Sequence, residues 1–217
     1  MRLFVAALIC LATACDRSSV PEVSSADEGN LIALALVEVS LSDARRFVVQ
    51  RSTQCSWLDA ALSVDQGHDP FAPAPDPDEE PEARARRLLT DLLDSVGEHV
   101  DDSLVRRFVD LNLAEQDLSS IEFPRDVQVT LADWEELDRL APPDPADAEA
   151  EWQKFRAAHP GSDGFTVLSR LVLSDDETVA ILHYSQVLGH LSGTSGFLVL
   201  RRVGDLWVSQ SIPVGVS

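Results

Sequence analysis

The densest run of chemistry-bearing side chains is Gly189-His190-Leu191-Ser192-Gly193-Thr194-Ser195-Gly196. Hydroxyls and an imidazole in one glycine-rich stretch could supply the nucleophile and base of acyl transfer. A strained nucleophile turn needs Gly-x-Ser-x-Gly between a strand and a helix. Neither serine has that frame, and a β-rich segment follows. No Lys or helix start follows the glycines, which argues against a phosphate cradle. The histidines are His68, His99, His159, His183 and His190, with no i,i+4 pair of the zinc-helix kind. His183, beside Tyr184 in an apolar run, reads as a half-buried hydrogen-bonding residue. His68-Asp69 opens an acidic stretch and reads as solvated. The acids from Asp76 to Glu82 lack the ligand spacing and turn glycine of a calcium loop. Cys55 has no histidine in frame and reads as a small buried hydrophobe. No catalytic residue, metal set or cofactor is assigned, so a non-enzymatic interaction or binding domain is expected. The alternatives are a small hydrolase using Ser192, Ser195 or His190 of the 189–196 turn, and a small-ligand cup between sheet and helices.

One cysteine has a clearer chemical context. Met1-Arg2 precedes an apolar run from Leu3 to Ala12, far shorter than the ~20 residues of a spanning helix. This is the layout of a secretory signal peptide. The run closes Leu11-Ala12-Thr13-Ala14-Cys15, followed by Asp16-Arg17-Ser18-Ser19. Small residues ahead of a cysteine resemble the bacterial lipobox. That resemblance implies diacylglycerol on the Cys15 thiol, cleavage after Ala14 and further acylation by chains such as palmitate. Ala12 stands where a Leu usually opens the motif. An ordinary signal peptide cut at Ala12-x-Ala14 would free the same Cys15 as a thiol. Cys10 is the poorer site, because branched Ile9 precedes it. The expected address is the bacterial cell envelope, on either membrane.

Of 217 residues, 17 are Lys or Arg and 37 are Asp or Glu, giving −20. Phosphate-directed nucleic-acid binding needs a basic surface for counterion release, so no nucleic-acid partner is expected. Losing the first fourteen residues removes one Arg and no acid, leaving −21. Anionic headgroups repel such a domain, so it should stand off the bilayer on a tether. Residues 15–30, rich in Ser, Asp and Glu without hydrophobic period, read as that flexible tether. The expected partners are the membrane, through lipid, and an unidentified envelope protein or small ligand.

The remaining residues, 31–217, read as one α+β domain. Leu31 to Val39 is a buried helix, with a strand as the alternative for so short an apolar run. Arg46 to Arg51 alternates as a strand, and Cys55 to Leu58 is a loop or short helix. Asp69 to Pro81, acidic and proline-rich, predicts an exposed loop. From Glu82, apolar residues at Ala85, Leu88, Leu89, Leu92, Leu93 and Val96 predict an amphipathic helix closed by Gly97. Leu104, Val105, Phe108 and Val109 predict another, capped by Asp101 or Asp102. Asp126 to Val129 is a short strand. Thr130-x-x-Asp133 resembles a capping box for a helix with Trp134, Leu137 and Leu140 on one face. Asp144-Pro145 should open a helix that turns Trp152 and Phe155 inward and stops at His159-Pro160-Gly161. Then come strands Phe165–Leu173, Thr178–Leu188, Phe197–Val203 and Leu206–Ile212. The predicted turns between them are Ser174–Glu177, the loop Gly189–Gly196 and the hairpin Gly204-Asp205. The fold class is α+β: N-terminal helices with one or two strands, then a C-terminal antiparallel meander covered by helices. Strands apolar on both faces require that cover.

The set Trp152-x-x-Phe155, His159-Pro160-Gly161-Ser162, Leu168-Ser169-Arg170, Tyr184-Ser185, Gly189-x-Leu191-x-Gly193 and Leu206-Trp207-Val208 resembles a group of uncharacterised bacterial exported proteins and lipoproteins. The resemblance implies no activity. Members often carry a cysteine pair around the Gly-rich turn. Leu188 and Ser192 stand there in this chain, so that clamp and any redox role built on it are absent.

Overall fold

Strands apolar at consecutive positions in the last third and three helical faces upstream dictate one covered sheet. A computed structural model of the protein describes residues 25–40, 45–62, 79–95, 100–140, 148–189 and 192–216. The elements are α1 (Ser25–Val39), β1 (Arg46–Gln50), α2 (Ser56–Leu62), α3 (Pro81–Ser95), α4 (Asp102–Asn112) and a 3₁₀ turn (Leu118–Ser120), followed by β2 (Gln128–Ala132), α5 (Trp134–Leu140) and α6 (Ala148–Ala158). Strands β3 (Phe165–Leu168), β4 (Val172–Leu173), β5 (Val179–Gly189), β6 (Ser192–Val203) and β7 (Leu206–Val216) complete the chain. The class is α+β, with a C-terminal antiparallel meander. The sheet is mixed, in the order β2-β1-β3-β5-β6-β7, and β4 pairs with β5 beyond the end of β3. Strand β1 runs parallel to both β2 and β3. The sequence did not indicate this parallel half, because neither short strand carries a mark of its partner.

Alternation sorts the core into two faces. On one, α1 lays Leu31, Ile32 and Leu36 over Phe47, Val49, Leu182, Tyr184, Leu198 and Leu200. On the other, α2 to α4 bury Leu58, Leu89, Leu93 and Phe108 against Ile181, Phe197, Val199 and Ile212. Beside them α5 and α6 press Leu137, Trp152 and Phe155 onto Val48, Phe165 and Val167. Helices on both faces explain why β5 and β6 are apolar at consecutive positions.

Five local readings need correction. Residues Ser25 to Asn30, assigned to the tether, form the first turns of α1. Gly29 permits this: a Cβ there would lie 2.0 Å from the Glu122 carbonyl oxygen, so only glycine lets α1 seat against that segment. Thr130 does not cap α5. It lies in β2, and the Asp133 carbonyl accepts the N–H groups of Glu136 and Leu137 instead. Trp134 is 53% exposed while Leu137 is buried, so the two do not share the inward face. The predicted strand Phe165–Leu173 is broken at Ser169-Arg170-Leu171. There the Ser169 N–H donates to the His183 carbonyl at 2.9 Å, and Ser169 Oγ accepts the His183 N–H at 2.7 Å. Asn112 at the end of α4 accepts the Arg170 N–H at 2.7 Å. A hydroxyl and an amide thus replace the missing ladder partners, as buried backbone groups require. Finally, Gly189–Gly196 is not an eight-residue loop. Strand β5 continues to Gly189 and β6 begins at Ser192, paired with each other.

Other readings hold. Asp101 caps α4 by accepting the Ser103 N–H. Trp152 and Phe155 point inward from α6. Gly161 at φ +84° follows α6, and Gly204 at φ +63° turns β6 into β7. Most of the Asp69–Pro81 stretch, Gly97 and the Asp144-Pro145 helix start lie outside the described residues.

Candidate functional site

Ala14, Cys15, His68, His99 and His190 lie outside the described residues. Ser192 and Ser195 are three residues apart on β6, an odd spacing that sends their side chains to opposite faces. Ser192 is exposed, whereas Ser195 is half-buried and faces Ser185 on β5. Neither β5 nor β6 carries an acid. The structure therefore does not bring the two serines together or place a strand-borne carboxylate beside them.

His183 is buried completely, not half-buried. Its ring meets the Phe197 edge at 5.1 Å, and Phe197 packs in turn against Trp57 at 5.1 Å and Phe108 at 5.7 Å. Its Nδ1 has no hydrogen-bond partner among the described residues. Burial pushes its pKa from 6.5 down to about 4, because low-dielectric surroundings penalise the imidazolium. A neutral ring buried against Phe197 is a core residue. His159, at the end of α6, lies with Nε2 3.8 Å from Glu136 on α5 and its ring against Phe155.

Cys55 precedes α2. Its sulfur accepts the N–H groups of Trp57 and Leu58, and burial pushes the thiol up to about 12. That is the reverse of a nucleophilic thiol, which needs a lowered value and access. Glu28 on α1 is raised above the ordinary carboxylate range by burial, with Gln116 donating to it at 3.4 Å and Arg170 nearby. Among the described residues no group of three or more His, Cys, Asp or Glu could hold a metal ion.

The surface that stands out carries no sequence motif. Strand β7 is the last in the sheet order, and no described strand pairs with its outer edge. Its eleven residues carry no charge in a chain of net −20. The Arg202 N–H donates to Thr178 beside β5. Alternation then gives the odd-numbered residues of β6 to β7, and leaves Trp207, Ser209 and Ser211 with N–H and C=O facing outward. At the tip, Val203 pairs with Leu206 and Arg201 with Val208. All four share the face of Phe197 and Val199. Val203 is 64% exposed, Leu206 72% and Val208 56%. Natural sheets commonly blunt such an edge with charge, a bulge or proline. Here only Pro213 and the irregularity opposite Ser195 and Gly196 do so, at the far end. The sequence signal was the uncharged run from Leu206 to Val216. No protein-family model, curated protein or solved structure matches this chain.

Proposed function

We propose that the chain is a lipid-anchored protein of the bacterial cell envelope whose acidic α+β domain is a binding module. The anchor is diacylglycerol and fatty acyl chains on Cys15, exposed by cleavage after Ala14. The apolar run Leu3–Ala12 and the small residues before Cys15 support it, as does the resemblance to exported proteins and lipoproteins. No described helix is long and apolar enough to cross a membrane. At ~0.8 kcal/mol per buried CH₂, two or three acyl chains hold a domain stably. The binding role rests on a single observation, the open, uncharged edge of β7. Outward N–H and C=O groups on Trp207, Ser209 and Ser211 can accept an extended segment of an envelope protein as an added strand.

The test is fractionation of cells producing the parent and the Cys15→Ser variant. The parent should sit in the membrane fraction and incorporate a palmitate analogue. The variant should do neither. Equal membrane association of the two would overturn the anchor.

A further inference from the structure

We infer that the β6–β7 tip is a second membrane contact: Val203, Leu206 and Val208 seat in the zwitterionic lipid surface that carries the acyl chains on Cys15. This rests on the lipid anchor proposed above. Three exposed apolar side chains on one face of a protruding hairpin are the first observation.

The second is where the tether joins the domain. The start of α1 is fixed by Glu28, which accepts from Gln116 at 3.4 Å, and by Gly29 against Glu122. Both partners flank the 3₁₀ turn that bonds to Arg51, just past the C-terminal end of β1. That is the end of the sheet at which β5 begins and the β6–β7 tip projects. Arg170, near Glu28, follows Ser169, which pairs with His183. The tip begins beside Thr178, about five residues further along β5, or ~17 Å. Residues 16–24 link Cys15 to α1 and span at most ~35 Å. The start of α1 therefore lies at the tip's end of the sheet, and the chain before it is long enough to let the tip reach the bilayer.

Charge selects the lipid. The chain as a whole is −20, which rejects an anionic surface. Around the tip Arg201 and Arg202 offset Asp205, and Arg107 pairs with Asp175 in the neighbouring turn, where Asp176 and Glu177 also lie. This near-balance suits phosphatidylethanolamine headgroups, while the rest of the domain stays off the membrane.

The test uses the full-length lipidated protein with Leu206→Cys carrying an environment-sensitive fluorophore. Cys10 leaves with the signal peptide, Cys15 is acylated and Cys55 is buried, so the label is site-specific. Gln128→Cys on β2 is the control, and Val208→Cys is a second reporter should Leu206→Cys fold poorly. On reconstitution into phosphatidylethanolamine/phosphatidylcholine vesicles, the Leu206 label should shift to the blue and be quenched by headgroup-proximal spin-labelled lipid. The Gln128 label should do neither. Solvent-like emission from the tip labels in protein that floats with the vesicles would overturn the tip contact and leave the anchor standing. A blue shift without lipid quenching would assign the tip to a second copy and overturn it too. Protein that does not float would remove the anchor and the tip contact together.

Discussion

The burial of His183 makes a quantitative demand on stability. In the unfolded chain its imidazole takes up a proton near pH 6.5; in the fold, buried against Phe197, it does so only near about 4. As pH falls through that window the unfolded state binds a proton that the native state refuses. Stability supplied above the unfolded value is therefore lost progressively as the pH drops. At about 1.36 kcal/mol per tenfold difference in proton affinity, the loss reaches ~3 kcal/mol by pH 4. That is a large part of the 5–15 kcal/mol typical of a domain. The assay is urea unfolding of the parent and of His183→Leu at several pH values between 7.5 and 4. Leucine fills a similar volume and does not titrate. Glu79, Asp117 and Asp176, held below the ordinary carboxylate range by their hydrogen bonds, titrate alike in both proteins and cancel in the difference. The parent should fall relative to the variant by ~3 kcal/mol between pH 7 and pH 4. At pH 7 the variant should be no less stable, since it removes the unpartnered Nδ1. Parallel stability curves across the range would refute the burial argument.

Gly29→Ala should destabilise by about 1–3 kcal/mol in thermal or urea unfolding, because its Cβ would meet the Glu122 carbonyl at 2.0 Å. Wild-type stability there would mean that α1 does not seat on that segment. Cys55 should resist thiol reagents in the native protein and react once the chain is unfolded, as peptide mass mapping after labelling would report. Ser209→Pro should leave folding nearly unchanged, because the lost N–H faces outward from β7. It should also abolish strand addition, read as loss of site-specific crosslinks from β7 to an envelope protein in cells. Crosslinks of parental intensity would remove β7 as the binding edge.

The sequence shows most clearly what periodicity controls. Leu104 to Val109 and Trp152 to Phe155 declare their inward faces, and Gly204-Asp205 declares its turn. What it hides depends on distant partners. Gly29 and Asn30 read as the end of a flexible tether, until the Glu122 backbone arrives to need the space that glycine leaves. Ser169 looks like one more strand residue, and only its pairing with His183 and the support of Asn112 reveal a break. Thr130 satisfies a capping pattern, but pairing with β1 commits it to a strand. The glycines of 189–196 look like a loop, yet register places Ser195 opposite Ser185 within the sheet. The β7 edge carries no motif, since its significance is a lack of charge at a position only topology makes an edge.

The most direct test of the account is the intact mass of the mature N-terminal peptide from the membrane-extracted protein. A lipid anchor on Cys15 predicts a peptide beginning at Cys15 and carrying a diacylglyceryl group with or without a further acyl chain. An N-terminal peptide with an unmodified Cys15 thiol, or one that retains residues 1–14, would contradict it.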